Sequence, residues 1–371
     1  MSAIAQMDMI HDRDMAARAR RRLRRDLVLV NLPPALAILV VLVVAIGLVI
    51  SSTGAGTGSE HHTPAYVPGD RSGRIGIGAA MTSLLIEPSD GVRPLIGVID
   101  RTQRSLYVEC YILTDRQIIR ALERAAAQDV AVRVLLEPHP LGMGTQPRRV
   151  ADELAAAGVS VRWTRRAFAL THAKFMVSDD RVTVIASANF SHAGFHGNRD
   201  LVLIDREPSD VRLASSVFRA DWDGSTPGAF DANVVMSPDN ARARISSLVR
   251  DARHSVAIYA EELGDGGVER LLAATGRHGV LVRIILAAGQ STSQASWLVA
   301  HGVAVRSLSR PYVHAKMILV DERESFVGSE NLSTQSLDLN RELGVLVRGS
   351  IVRRLEETFE ADWKRATPVI G

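Results

Sequence analysis

Two tandem α/β lobes are the architecture this sequence predicts, and three observations predict it. The chain has 371 residues, more than one small core needs. The stretch 171–189, THAKFMVSDDRVTVIASAN, recurs without a gap as 313–331, VHAKMILVDERESFVGSEN; an internal repeat of this kind sets the reading of everything around it. In each half, strand-like and helix-like segments alternate, the pattern of an α/β layer structure.

The elements follow in order. Residues 1–26 form a polar tail with seven arginines and four aspartates, ending in a basic cluster at Arg18–Arg25. Residues 27–50, LVLVNLPPALAILVVLVVAIGLVI, carry no charge and are long enough to span a bilayer as a helix. Pro33 and Pro34 start its continuous part late. Arginines before the span place the N-terminus in the cytoplasm and the rest outside the cell membrane. A signal peptide cleaved in the small residues 51–56 is the competing reading, giving a secreted enzyme. Residues 51–80, rich in Gly, Ser, Thr and Pro, read as a flexible linker.

The first lobe is read as 81–225. Strands are expected at 106–112, 130–136, 159–163, 174–178, 182–186 and 201–204. Helices are expected from a capping box at Thr114–Gln117 to about 128, over 147–157 ending at Gly158, and over 209–222. The second lobe, 226–371, repeats this order. Strands 255–259 and 280–286 answer the first lobe's, Arg283 answers Arg133, and Ala361-Asp362-Trp363 answers Ala220-Asp221-Trp222. Residues 224–233, GSTPGAFDAN, are the natural joint.

The net charge of +3 resides in the N-terminal tail, leaving the remainder neutral. That balance disfavours a polycation built to grip nucleic acid. Cys110, the single cysteine, cannot form an intrachain disulfide or a metal cluster and reads as a small buried residue. No Cys/His/carboxylate cluster stands at metal-ligand spacing, so neither a metal nor another cofactor is expected. His192 and His196 read as polar loop residues, and His61-His62 as solvated.

Each repeat carries the same chemical set. His172 and Lys174 match His314 and Lys316; Asp179 matches Asp321; Ser187 and Asn189 match Ser329 and Asn331; Asp200 matches Glu342. Histidine and lysine two apart on a strand would share a face. The doubled pattern H-x-K-x4-D-x6-G-S-x-N resembles the signature of the phospholipase D superfamily, with one departure, Ala186 in place of glycine in the first copy.

That resemblance implies two mixed β-sheets flanked by helices, facing each other across a pseudo-two-fold axis with one active site between them. It implies double displacement at a phosphodiester. One imidazole attacks phosphorus; the other protonates the leaving alcohol and then activates water or a second alcohol. By family analogy His172 is the nucleophile and His314 the acid/base. Lys174, Lys316, Asn189 and Asn331, with the Ser187 and Ser329 hydroxyls, would hold the phosphate oxygens. Asp200 and Glu342 are candidates to orient the histidines, and Asp179 and Asp321 to hold structure at the turns. The motif fixes the bond type and leaves the substrate open. A phospholipase D-like hydrolase or phosphatidyltransferase acting at a membrane surface is the leading expectation, with a cardiolipin synthase-like transferase close to it and a monomeric catalytic unit. An exported nuclease is the alternative, with Arg148-Arg149 and Arg165-Arg166 as its groove. Phe168, Leu170, Phe190, Phe195 and Tyr312 are apolar residues near the motifs.

Overall fold

The computed structural model describes residues 81–229 and 232–370. The tail, the 27–50 segment and the linker lie outside the described residues. Among the described residues no helix is long and apolar enough to cross a membrane.

Lobe 1 runs β1 (Thr82–Ile86), α1 (Arg93–Asp100), β2 (Ser105–Cys110), α2 (Arg116–Ala127), β3 (Ala131–Leu136), α3 (Gln146–Ala156), β4 (Ser160–Trp163), β5 (Lys174–Ser178), β6 (Val182–Ala186), α4 (His192–His196), β7 (Asn198–Arg199), β8 (Leu201–Asp205) and α5 (Pro208–Asp223). Lobe 2 runs β9 (Val234–Ser237), α6 (Ala241–Arg250), β10 (Ser255–Ala260), β11 (Leu263–Gly264), α7 (Gly266–Arg277), β12 (Leu281–Ala287), α8 (Thr292–Ala300), β13 (Ala304–Leu308), β14 (Tyr312–Val313), β15 (Lys316–Val320), β16 (Glu324–Gly328), β17 (Leu332–Ser333), α9 (Thr334–Asp338), β18 (Glu342–Arg348), α10 (Ser350–Arg365) and β19 (Thr367–Pro368). The expected strands and long helices lie within a residue or two of their predicted bounds. One expectation is corrected: Asp115, not Thr114, caps α2, its carboxylate accepting from Gln117 N and Ile118 N.

Both sheets have the same order. In lobe 1 it is β1-β8-β6-β5-β2-β3-β4, and in lobe 2 β9-β18-β16-β15-β10-β12-β13, with β19 added at the edge. In each, two neighbouring pairs are parallel (β2/β3 and β3/β4; β10/β12 and β12/β13) and the rest antiparallel, so both sheets are mixed. The hairpin at the heart of each repeat turns the same way. Asp179 and Asp180, like Asp321 and Glu322, sit at positive φ, as a tight hairpin turn requires. Asp179 then accepts from the backbone N–H groups of Gln103, Arg104 and Ser105 at 2.7–3.0 Å. Asp321 does the same with Arg253, His254 and Ser255. The motif aspartates therefore staple each hairpin tip to the start of the neighbouring strand.

Alternation along β5 and β15 explains the layering. Phe175 and Val177, with Met317 and Leu319, enter one core that also holds Phe218 and Trp222 of α5 and Phe359 of α10. Met176 faces a second core under lobe 1's outer helices, and Ile318 and Val320 face a third under lobe 2's. The central core draws on both lobes and joins them.

Polar struts reinforce that joint. Arg199 of lobe 1 pairs with Asp362 on α10, and Arg341 of lobe 2 pairs with Asp221 on α5. All four are buried or nearly so. Short pairings cross between lobes as well: β7 with β14, and a bridge between Thr171 and Arg341. The repeated Asn-Arg-acid and Ala-Asp-Trp triplets are thus the two ends of the same strut. The tryptophans support it: Trp222 carries the Arg133 guanidinium at 5.7 Å from its ring centroid, and Trp363 carries that of Arg283 at 5.5 Å.

Candidate active site

The two motif histidines sit two residues ahead of the strands that carry their lysines. β5 begins at Lys174 and β15 at Lys316, so strand alternation does not itself place the imidazoles. The opposite lobe does. His172 N donates to Arg341 O at 2.8 Å, and His314 N donates to Arg199 O at 3.1 Å. Each lysine curls back on its own histidine: Lys174 Nζ donates to His172 O, and Lys316 Nζ donates to His314 O at 2.6 Å.

The orienting carboxylates are exchanged between lobes. Glu342 Oε2, from lobe 2, lies 2.8 Å from Nδ1 of His172 in lobe 1. Asp200 Oδ1, from lobe 1, lies 2.9 Å from Nδ1 of His314 in lobe 2. Each carboxylate is itself held. Ser336 Oγ and Asn340 Nδ2 donate to Glu342 Oε1 at 2.6 and 3.1 Å, and Ser187 Oγ donates to Asp200 Oδ1 at 2.6 Å. With Nδ1 engaged, Nε2 of each ring remains for chemistry.

Burial sets the charge states. It pulls the His172 imidazole down to about 4, although the Glu342 carboxylate beside it works the other way. Burial would raise Glu342, yet the neighbouring His172 and Lys174 bring its carboxyl below the ordinary value. Lys174, also buried, is lowered to about 7. A neutral imidazole able to attack an electrophile therefore stands beside a lysine close to its own titration point.

The remaining predicted residues divide. Asn189 and Asn331 each leave a buried side-chain oxygen without a hydrogen-bond partner. Ser187 and Ser329 are fully buried. Besides holding Asp200, Ser187 Oγ accepts from Leu201 N at 2.9 Å, and Ser329 Oγ accepts from Leu343 N at 3.1 Å. Packing explains the glycine of the second copy and its absence from the first. A Cβ on Gly328 would stand 2.5 Å from Gly344 Cα and 2.8 Å from Phe326 Cζ. In lobe 1 the matching pair is Ala186 with Val202.

Two residues at the centre escaped the sequence reading. Glu261 follows β10 and its Oε2 accepts from Lys316 Nζ at 2.6 Å. Tyr111 follows β2, its ring meeting that of His172 edge-on at 4.7 Å. The two hold the same place in the repeat, 150 positions apart. The strand correspondence already in the sequence (106–112 with 255–259) contains Tyr111 and would have led to Glu261 had its second member been carried two residues further.

Elsewhere, Asp115, His192 and His196 bring one ligand atom each within 4.8 Å of one another, and are the described residues able to hold a metal ion. One oxygen of Asp115 already caps α2. Cys110 is buried, and burial pushes its thiol well above the ordinary value, so it is not a nucleophile.

Comparison with known proteins follows the same outline. The family model described as "Cardiolipin synthase, PLD-like domain" matches residues 95–222 and 245–363. The chain is 21% identical over 344 residues to cardiolipin synthase 1 of Bacillus anthracis, covering 78% of this chain and 67% of that one. Among solved structures, phosphatidylserine synthase of Haemophilus influenzae Rd KW20 superposes with a TM-score of 0.61 at 14% identity, over 79% of this chain and 88% of that one. Polyphosphate kinase of Porphyromonas gingivalis superposes with a TM-score of 0.62 at 18% identity, over 76% of this chain. The chain spans only 50% of that kinase's length. At such identities the two structures speak for the fold alone.

Proposed function

The chain belongs to the phospholipase D superfamily, in the family of cardiolipin synthase PLD-like domains, and from that premise we propose that it is a phosphodiesterase or phosphatidyltransferase acting on phospholipids through a phosphohistidine. The observation that carries this reading is the crossed pair of carboxylate–histidine couples, each imidazole of one lobe held by the acid of the other. Two tethered imidazoles with two lysines beside them make a centre for attack and leaving-group protonation at one phosphorus.

The cycle runs as follows. The Nε2 lone pair of His172 bonds to phosphorus as the bond to the headgroup oxygen breaks. His314, protonated, gives its Nε2 proton to that oxygen, and the alcohol leaves. Neutral His314 then takes a proton from water or from an acceptor alcohol, whose oxygen attacks phosphorus as the P–N bond breaks. Lys174, with one N–H on His172 O, turns the rest to the non-bridging oxygens. The Asn189 and Asn331 amides supply further donors. Ser187 serves by fixing Asp200.

Lipid is the substrate class favoured by three considerations. The matched relative is named a cardiolipin synthase. The chain beyond residue 26 has no net charge, and the uncharged segment 27–50 would hold the enzyme at a membrane with its N-terminus in the cytoplasm. Leu339, 52% exposed, lies next to Asn340, whose amide secures Glu342.

The test incubates the full chain with mixed phospholipid vesicles, with and without glycerol or phosphatidylglycerol, and reads lipid products by mass spectrometry. Phosphatidic acid or a headgroup-exchanged lipid, lost in both His172→Ala and His314→Ala, supports the reading and shows which acceptor wins. Intact lipid beside nicked plasmid DNA would overturn it in favour of a nuclease.

A further inference from the structure

We propose that Glu261 gives the two halves of the site their different roles, its carboxylate holding His314 as the protonated acid while His172, beside Tyr111, stays the neutral nucleophile. The proposal rests on the double-displacement reading above.

The two halves share one plan. Each has a histidine ahead of a strand, a lysine curled onto that histidine's carbonyl and a carboxylate from the other lobe on Nδ1. A symmetric pair would have no reason to keep one ring protonated and the other not. The symmetry breaks where the chain leaves the second strand of each lobe. In lobe 1 Tyr111 puts an aromatic ring against His172 and under Lys174 Nζ, 5.2 Å from its centroid. In lobe 2 Glu261 puts a carboxylate 3.6 Å from His314 Nε2 and 2.6 Å from Lys316 Nζ.

His314 therefore lies between two acids, Asp200 at Nδ1 and Glu261 at Nε2. Opposite charge this close to a ring favours its charged form. The charged groups acting on Glu261 besides His314 are Lys316 on β15 and His172 across the lobe boundary, and Glu262 stands next to it in the chain. Glu261 stays ionised among them. Burial would raise its carboxyl, but His314 and Lys316 hold it down at about 2. Burial raises Glu262 to about 7, so it contributes a smaller share of negative charge at neutral pH.

Glu261 also partitions the lysines. Lys316 gives one N–H to His314 O and one to Glu261, leaving one for a phosphate oxygen. Lys174 meets a ring instead of a carboxylate and keeps more for the substrate. Phosphate is thus drawn to the lobe 1 side, where the neutral nucleophile stands. The leaving oxygen falls to the lobe 2 side, where the Nε2–H bond breaks as the new O–H bond forms. Glu261 acts through His314 and Lys316 and is a positioning residue.

The test titrates histidine ring signals of the full-length chain by NMR in wild type, Glu261→Gln and Glu261→Ala, with His314→Gln identifying the His314 signal. Glutamine keeps an oxygen for Lys316 and removes only the charge. The expected result is a His314 midpoint lower by one pH unit or more in both variants, with the alkaline limb of kcat on phosphatidylglycerol vesicles moving down with it and KM changing less. An unchanged His314 midpoint in either folded variant overturns the proposal. If no lipid is turned over while the midpoint still falls, it is the lipid reading that fails and the charge assignment that stands.

Discussion

At the scale of single residues, each motif imidazole is fixed through Nδ1 by a carboxylate that has no exposed surface of its own. An acid so placed orients the ring and stabilises its charged form when it appears. Replacing Glu342 by Gln, or Asp200 by Asn, preserves shape and removes that charge. We expect kcat to fall about 100-fold or more in either variant, within the range general acid–base catalysis supplies, with little change in KM; steady-state kinetics on vesicles would check this. His172 also makes a pH prediction. Its native value of about 4 lies below the unfolded value of 6.5, so between these the unfolded chain binds the extra proton. The His172 contribution to stability should then shrink as pH drops from 6.5 towards 4, so the cost or gain of His172→Gln in urea denaturation should change with pH across this window. A difference between wild type and His172→Gln that does not vary with pH over this window would show His172 to be solvated.

At the scale of elements, the lobes are joined by struts from the β7–β8 and β18 corners to helices α5 and α10. Truncating one partner of such a buried pair leaves the other charge stranded, so Arg199→Ala should cost about 3–5 kcal/mol by chemical denaturation. The two struts differ in their third member. Tyr259 OH donates to Asp362 at 2.7 Å, while at the matching place in lobe 1 stands Glu109, fully buried beside Asp221. Burial, with Asp221 nearby, drives its carboxyl well above the ordinary value. A raised carboxyl binds its proton more tightly in the native state, so stability is lost as pH climbs above the unfolded value of 4.5. Glu109→Gln keeps a donor for Asp221 without a titratable proton. It should raise the thermal midpoint, and more so at pH 8 than at pH 5.

At the scale of the whole molecule, the fold was legible because its duplication is written in the sequence. Gapless repeats fixed which strands correspond, and the valine-rich runs and capping residues fixed where they lie. The exchange of acids between lobes was not legible. Asp200 and Glu342 stand in matching places, and nothing in a linear sequence says whether an acid serves its own lobe's histidine or the other's. That is decided by β7 pairing with β14 and by Thr171 bridging to Arg341, contacts too short to carry a pattern. Glu261 and Tyr111 were missed because the motif begins some sixty residues later in lobe 1 and fifty in lobe 2, and the lobes meet only in three dimensions. The repeated Ala-Asp-Trp triplets were visible, but their meaning needed the arginines at the far end.

On the proposed mechanism both lobes build one centre, and the covalent intermediate forms on His172. It is tested most directly by incubating the full-length His314→Ala variant with phosphatidyl-p-nitrophenol, whose leaving group departs without an acid, and mapping the adduct by mass spectrometry. A phosphatidyl group is expected on His172, persisting because no base remains to release it, with no such adduct in His172→Ala. An adduct on another residue, or none in a folded His314→Ala protein, would contradict it.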